Sequence, residues 1–195
     1  MRIDRQIDRM DIAELKAELE MLHGASFGWA LNCCRRDRAE AEEVLQTVYL
    51  KILEGKACFR GEASLKTWLF AVIRKTAIGE HRKNLLRKLR WSDSSDSEKT
   101  LVSPLEQPVA ALEKSETQAL FQSAMKSLPR RQREALHLVF YQDLSLSEAA
   151  EVMGISIGSA RQHYDRGKKR LREFLGQTES AYGTSWRGKE NPGAV

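Results

Sequence analysis

The stretch "SLSEAAEVMGISIGSARQHYDRGKKRLREF", residues 145–174, decides the fold of the C-terminal half of this chain. Ser145 and Glu148 have the spacing of a capping box, which predicts that a short helix begins there. Gly154 is predicted to end that helix, and Ser156 has the side chain of an N-cap for a second, longer helix. A short helix, a glycine-containing turn and a longer helix are typical of a helix-turn-helix.

The second helix of this motif carries crowded positive charge. From Arg161 to Arg172 it holds six basic residues and one acid, Asp165. Like charges repel each other on a helix surface, so the segment is predicted to bind a polyanion that supplies the countercharge. In a helix-turn-helix the N-terminal half of the second helix enters the major groove of DNA, where arginine pairs with guanine and glutamine with adenine. A charged helix that merely faces solvent is the alternative.

The apolar residues of this helix, which is expected to end near Leu175, indicate which face packs inward. That inward face is predicted to hold Ile157, Ala160, Tyr164, Leu171 and Leu175. The opposite face carries Gly158, Arg161, Gln162, Asp165, Arg166 and Lys169.

The rest of the chain has helical periodicity and almost no strand pattern, so the fold is predicted to be all-α. Residues 1–91 form one helical module, residues 109–176 form a second that contains the helix-turn-helix, and residues 177–195 are a disordered tail. Residues 92–108, rich in Ser, Asp and Pro, are predicted to be a flexible linker. The net charges of the first module, the linker and the second module are +5, −3 and +3. Two basic blocks separated by an acidic connector indicate two modules that touch a polyanion.

The first module begins with a helix predicted over residues 4–23 and interrupted by Gly24. Asp37 and Glu40 form a second capping box, and its helix is expected to end at Gly55. Another helix is predicted over residues 25–36, and a fourth, long and basic, is predicted to begin after Ser64.

Near the start of this basic helix, aromatic rings lie close to cations in the sequence. The four residues that form this pattern are Phe59, Arg60, Trp68 and Phe70. Unpaired bases stack on aromatic rings while cations neutralise the phosphates alongside, so a site for single-stranded DNA is predicted here. A place for Trp68 in the core is the alternative.

Other function classes lack support in the sequence. No apolar run is long enough for membrane insertion and the N-terminus lacks a signal peptide, so a cytoplasmic protein is expected. The sequence has no C-x-x-C pair among Cys33, Cys34 and Cys58, so no metal site is predicted. Cys34 and Cys58 are expected to be buried as small apolar side chains. Without a phosphate loop, paired carboxylates or a nucleophile elbow, we predict no enzyme activity, no catalytic residue and no cofactor.

Three stretches in this order resemble a known family over residues 24–176. They are "AEAEEVLQTVYLKIL" (39–53), "FRGEASLKTWLFAVIRKTAIGEHRK" (59–83) and "LPRRQREALHLVFYQDLSLSEAAEVMGISIGSARQHYDRGKKRLR" (128–172). Together they resemble the extracytoplasmic-function (ECF) sigma factors, the two-domain initiation subunits of bacterial RNA polymerase. The resemblance implies a protein that directs core polymerase to specific promoters. It also implies contacts with the clamp helices of the β′ subunit and with the β flap, and control by an anti-sigma factor.

The resemblance also implies roles for individual residues. Glu43 and Gln46 would dock on core polymerase. The -10 element and its separated strands would contact Phe59, Arg60, Trp68, Lys75 and Arg82. The base edges of the -35 element would contact Arg161, Gln162, Asp165 and Arg166. The DNA backbone there would contact Ser159, His163, Lys168 and Lys169.

Four positions depart from the family pattern. Lys75 stands where asparagine is usual and Gly79 where aspartate is common; Tyr164 and Gly167 replace a common leucine and alanine. Two other functions stay open, and Lys75 and Gly79 motivate only the second of them. One is an autonomous helix-turn-helix regulator that binds an operator as a dimer. The other is a degenerate sigma-like protein that sequesters a partner.

Overall fold

A computed structural model describes residues 12–91 and 121–182. These residues form helices, turns and irregular connections, and no strand occurs among them, which confirms the all-α prediction. The predicted linker, residues 92–108, lies outside the described residues, as do residues 183–195 of the tail. Within the described ranges, no helix is both long and apolar enough to cross a bilayer.

The helices follow one another in the order predicted from periodicity and capping. Their bounds are α1 Ile12–Met21, α2 His23–Cys33, α3 Arg38–Leu53, α4 Leu65–Trp91, α5 (described over residues 121–127), α6 Arg130–Phe140, α7 Leu146–Met153 and α8 Ile157–Tyr182.

The capping residues begin these helices as the sequence predicts. Asp37 Oδ1 accepts a hydrogen bond from the Glu40 N–H at 3.0 Å, at the start of α3. At the start of α7 the capping box is complete, because Ser145 Oγ accepts from the Glu148 N–H at 3.2 Å and Glu148 Oε2 accepts from the Ser145 N–H at 2.9 Å. Gly154 ends α7 in the left-handed conformation with φ of 62°, which a glycine adopts without a Cβ penalty.

Helix limits differ from the prediction at two places. The chain breaks between α1 and α2 at Leu22, and Gly24 lies inside α2, since the packing of α2 outweighs the ~1 kcal/mol that a glycine costs in a helix. Helix α8 continues to Tyr182 rather than ending near Leu175, because Gly176 does not adopt the left-handed conformation that ends α7 at Gly154, and no proline follows before Pro192.

Ile157 was predicted to face inward, but the structure leaves it exposed. It is 50% exposed, because it begins α8 one turn before Ala160, which is the first fully buried position of that helix.

The core of the first module lies between α2, α3 and α4. Trp29, Val44, Leu69, Phe70 and Ile73 are fully buried there, and each large apolar side chain contributes about 1.5–3 kcal/mol on burial. Trp29 Nε1 donates a hydrogen bond to the carbonyl oxygen of Phe70 at 3.0 Å. Phe70 is therefore a core residue, and the prediction that it offers its ring to a base is wrong.

The second module packs α6, α7 and α8 around Leu136, Leu138, Met153 and Ala160. Helices α6 and α8 pack tightly at Gly167, which is buried against Leu136.

The two modules are in direct contact. Helix α4 of the first module packs against α7 of the second, and α2 packs against α6. A single hydrophobic cluster runs through both, from Trp29 and Phe70 to Leu138 and Met153. The predicted flexible linker did not imply a contact between the modules. Arg161 and Arg166 remain exposed when the modules pack together.

Candidate nucleic-acid and polymerase interfaces

One face of α8 presents the four side chains that were predicted to read bases. Arg161, Gln162, Asp165 and Arg166 are all exposed. Their backbone is held by the opposite face, where Ala160 and Gly167 are buried against the rest of the module. An exposed row of arginine, glutamine and aspartate on the second helix of a helix-turn-helix has the hydrogen-bonding groups that the major groove recognises.

Two lysines follow this row, and they differ in their surroundings. Lys168 Nζ lies 4.5 Å from the centroid of the Tyr164 ring and 3.6 Å from Asp165 Oδ1. Lys169 is 80% exposed and reaches Glu173 at 4.0 Å. Lys169 is thus the more available of the two for a phosphate.

Ser159 and His163 lie on the same helix. The Ser159 N–H donates to Ser156 Oγ at 3.2 Å, which caps α8 as predicted. Burial, and then the positive charges of Arg131 and Arg166, lower the pKa of His163. In the absence of DNA, His163 is therefore mainly neutral at pH 7 and can offer a ring N–H as a hydrogen-bond donor.

A shallow cavity of about 390 Å³ adjoins the reading face. It is lined by Gln132, Arg166, Lys169, Arg170 and Glu173. Arg170 was not among the predicted site residues. The density of basic residues in this part of α8 was the only sequence signal for it.

On α3, Glu43 and Gln46 are both exposed, away from the buried stripe of that helix. Leu50 and Leu53 are 57% and 58% exposed, and their spacing continues the face of Glu43 and Gln46 by two more turns. Neither leucine was predicted from the sequence to be a contact. The sequence signal for them was their position, because both are apolar residues that fall outside the buried stripe of α3.

The aromatic residues predicted at the start of α4 form a small cluster. The rings of Phe59 and Trp68 lie 5.5 Å apart, and both side chains are half-buried. Trp68 packs against the hydrophobic core, so its ring supports Phe59. Arg60 is exposed beside them.

Farther along α4, Lys75 is exposed, and Arg82 is exposed two turns later. They line a cleft of about 480 Å³ together with Gly79 between them. The far side of this cleft belongs to the second module, through Glu151 and Gly154. The structure therefore places the two predicted DNA contacts Lys75 and Arg82 along one cleft. The other side of that cleft is formed by the helix-turn-helix of the second module.

The cysteines do not form a site in the part of the chain that is described. Burial raises the pKa of the Cys34 thiol to about 12, so this thiol stays protonated. Cys58 is exposed, contrary to the predicted burial, because it lies in the turn after Gly55 with its Sγ donating to the Gly55 carbonyl oxygen. Residues 12–91 and 121–182 contain no cluster of three or more His, Cys, Asp or Glu side chains that could hold a metal.

Comparison with known proteins assigns both modules. Residues 20–87 match the family model of Sigma-70 region 2, and residues 124–173 match that of Sigma-70, region 4. The ECF RNA polymerase sigma factor EcfG of Rhodopseudomonas palustris is 32% identical over 135 residues, which are 69% of this chain and 71% of that protein. RNA polymerase sigma factor YlaC of Bacillus subtilis is 26% identical over 69% of this chain and 77% of its own length.

A solved structure is similar as well. It is the sigma factor RpoE of Bartonella quintana in complex with the anti-sigma factor NepR, with a TM-score of 0.64 and 26% sequence identity. The match covers 85% of this chain and 98% of that one.

Proposed function

The chain belongs to the ECF family of RNA polymerase sigma factors, and from this premise we propose how its surfaces divide the work at a promoter. It is a transcription initiation factor that directs RNA polymerase to promoters. The first module, up to residue 91, binds core polymerase and the -10 element. The second module, over residues 109–176, binds the -35 element.

The observation that carries this proposal is the exposed row on α8. Arg161, Gln162 and their neighbours Asp165 and Arg166 face outward together, so one helix face can meet base edges in the major groove. The cations that follow contact phosphates and provide affinity that does not depend on sequence. These cations are Lys168 and Lys169. Ser159 and His163, which lie nearer the start of α8, contact the DNA backbone as neutral hydrogen-bonding groups.

The first module is proposed to hold separated strands. Phe59 and Arg60 lie next to one another in the loop before α4, with the ring of Trp68 against Phe59. An aromatic ring beside a cation stacks a base and neutralises its phosphate. Lys75 and Arg82 extend the same basic surface along α4 and contact the strand backbone.

Docking on core polymerase is proposed to use α3. Glu43 and Gln46 provide the polar part of that surface, and the exposed side chains of Leu50 and Leu53 provide the apolar part. An interface whose centre is apolar and whose rim is polar is typical of stable protein complexes. The partner surface is the clamp helices of the β′ subunit, and the second module contacts the β flap.

We further propose that the protein works in the cytoplasm, has no catalytic activity of its own and is controlled by an anti-sigma factor. The likeness to a sigma factor solved with the anti-sigma factor NepR supports the last of these.

The experiment is reconstitution of transcription. Purified protein and core polymerase are incubated with fragmented genomic DNA, and the 5′ ends of the transcripts are mapped. The expected result is a set of start sites that share two upstream elements. Binding to core polymerase without any transcript would indicate a sequestering protein, and tight operator binding without polymerase would indicate an autonomous regulator. Either of these outcomes would contradict the proposal.

A further inference from the structure

The turn between α2 and α3 holds two arginines in a strained backbone conformation. Arg35 and Arg36 have φ angles of 54° and 68°, in the left-handed region that favours glycine. The turn is fixed on both sides, because the Arg36 N–H donates to the Leu31 carbonyl oxygen at 2.8 Å and the Asp37 N–H donates to the Cys34 carbonyl oxygen at 3.0 Å. Both arginine side chains are exposed. Strain at residues that present charged groups to solvent points to a binding role.

The turn brings Arg35 close to a third arginine, Arg133 of α6. Burial lowers the pKa of Arg133, and the nearby positive charge of Arg35 acts in the same direction. Glu134 lies nearby, but its side chain is 1% exposed and already accepts hydrogen bonds from Arg74 at 3.1 Å and from Arg130 at 2.8 Å. In the described ranges, neither Arg133 nor the two arginines of the turn form an ion pair with a carboxylate. Their charge is therefore available to an external anion.

Aromatic rings share the face of α6 that carries Arg133. This face continues through His137, Phe140 and Tyr141, at the spacing i, i+4, i+7 and i+8. Phe140 and Tyr141 are 56% and 53% exposed. The Tyr141 ring stacks on His137 at 5.3 Å, and the Phe140 ring stacks on Tyr164 of α8 at 5.7 Å. Each exposed ring is thus held in place by another ring against it.

Arg36 lies beside these rings. Burial raises the pKa of Tyr141 and lowers that of His137, and the positive charge of Arg36 lowers the pKa of both. From Arg133 to Tyr141 the helix rises by about 12 Å, which matches three to four stacked nucleotides at about 3.4 Å each. We call this surface the arginine–aromatic face; it consists of Arg35, Arg36, Arg133, Phe140 and Tyr141.

The chemistry of the arginine–aromatic face suits a single-stranded nucleic acid. Its cations attract phosphates, and its exposed rings can stack on bases. Neither of the two cavities described above is lined by these residues, so an extended polymer fits better than a small ligand that needs a concave site. Because burial raises the pKa of Tyr141, its hydroxyl keeps its proton and can hydrogen-bond to a ribose 2′-OH, which DNA lacks.

We propose that the arginine–aromatic face binds single-stranded RNA, with its three arginines on phosphates and with Phe140 and Tyr141 stacked on bases. This site is separate from the surfaces proposed for promoter DNA, in the loop before α4, along α4 and on α8. It does not depend on the proposed function. Its residues come from both modules, so the site is complete where α2 packs against α6.

The first test compares RNA with DNA. The full chain is titrated into fluorescein-labelled adenosine octamers of RNA and of DNA, and fluorescence anisotropy gives the two affinities. The wild type should bind the RNA roughly two- to tenfold more tightly, as expected for one further hydrogen bond. Tyr141→Phe keeps the ring and should remove this preference, whereas Phe140→Ala should weaken binding of both octamers by about fivefold or more.

The arginines of the turn allow a test that separates binding from folding. Arg35→Gly and Arg36→Gly remove a cation but suit the left-handed backbone. Each should weaken RNA binding by roughly fivefold and reduce the slope of log K against log salt by about 0.7. The thermal midpoint should stay the same or rise by up to about 4 °C. Arg38→Gln is the matched control, since Arg38 lies two positions away and pairs with Glu42 at 2.9 Å; it should bind RNA as the wild type does.

Cross-linking locates the bound RNA on the protein. An RNA octamer that contains 4-thiouridine should cross-link to the α2–α3 turn or to α6, as mapped by mass spectrometry. The proposal would be overturned by cross-links confined to α8 and the loop before α4, by equal affinity of the wild type for RNA and DNA, or by glycine variants that bind like Arg38→Gln. Displacement of the RNA by an acidic peptide of equal charge, as effective as by unlabelled RNA, would also overturn it and indicate a protein partner. Promoter-directed transcription by the wild type tests the proposed function separately, because RNA binding at this face does not enter it.

Discussion

The indole ring of Trp29 and the imidazole ring of His137 lie 5.5 Å apart, centroid to centroid, although Trp29 belongs to α2 and His137 to α6. His137 also stacks on Tyr141 at 5.3 Å, and its Nε2 lies 3.3 Å from the Nε2 of Gln142. The contact between the modules thus contains a titratable ring within an aromatic group. Burial, and then the charge of Arg36, lower the pKa of His137 to about 4.

The first prediction is a loss of stability in mild acid. Between the ordinary histidine pKa of about 6.5 and the folded value of about 4, the unfolded chain binds a proton at this site and the folded chain does not. Stability therefore falls as the pH falls through this window, by roughly 2 kcal/mol between pH 7 and pH 5 from this group. Urea denaturation of the wild type and of His137→Phe at the two pH values measures it.

The Phe variant keeps a ring beside Trp29 and should lose much less stability between pH 7 and pH 5. His81→Asn is the control, because His81 is exposed and its removal should leave the pH dependence as in the wild type. If the free energy of unfolding changed equally with pH in the wild type and in His137→Phe, His137 would not be the source of the pH dependence.

The second prediction concerns Gly167, which stands where the family commonly has alanine. A Cβ at this position would lie 2.9 Å from Leu136 Cδ1 and 3.3 Å from the carbonyl oxygen of Gln132. Gly167→Ala should therefore destabilise the second module by about 1–2 kcal/mol, since overpacking outweighs the gain in helix propensity. Thermal or chemical unfolding measures this loss.

Gly176→Ala is the matched control for that substitution. Gly176 lies in the same helix, and a Cβ added there would have nothing within 4 Å, so alanine should stabilise the helix by up to about 1 kcal/mol. If both variants were stabilised, the close approach of α6 and α8 at Gly167 would be refuted.

Local signals in the sequence predicted most of the fold. Capping pairs such as Asp37 with Glu40 and Ser145 with Glu148 begin their helices as expected, because a cap depends only on residues three positions apart. Gly154 ends α7 for an equally local reason. The errors, at Gly24, at Ile157 and beyond Leu175, depend on what packs against each position.

The contact between the two modules could not be predicted from the sequence, for the same physical reason. Glu134 looks like one more charged residue of a basic helix, and only the approach of Arg74 from the other module explains why it is buried. The exposed face of α8 could be predicted, since a stripe of apolar residues defines the opposite face. Likewise Glu43 was predicted to be a contact by resemblance, while Leu50 was overlooked because a leucine in a helix is usually a core residue.

The third prediction is that the exposed face of α3 sets the affinity for core polymerase. Glu43→Ala, Gln46→Ala and Leu50→Ala should each weaken the complex, by about tenfold for a residue at the centre of the contact. All three side chains are exposed, so thermal stability should change little. Fluorescence anisotropy of labelled protein titrated with core polymerase measures the affinity.

Glu42→Ala is the control for that surface. Glu42 is an exposed carboxylate on the same helix, but it pairs with Arg38 at 2.9 Å and lies on a different face. An equal loss of affinity for Glu42→Ala and Glu43→Ala would mean that polymerase senses only the charge of α3, and the docking face would then be wrongly assigned.

The fourth prediction separates base reading from phosphate binding on α8. Arg161→Ala should cost roughly 1–3 kcal/mol of discrimination between promoter and mutant sites and relax specificity at one base pair. Lys169→Gln should instead weaken binding to all sequences alike and reduce the slope of log K against log salt by about 1, because one phosphate contact is lost. The measurement is a salt titration of polymerase holoenzyme on probes that differ at single positions of the -35 element. Both side chains are exposed cations about two helical turns apart. On a purely electrostatic surface, the two variants would therefore show the same dependence on salt and on base sequence. Only a helix face that lies in the major groove makes binding depend on the base at Arg161 and not at Lys169.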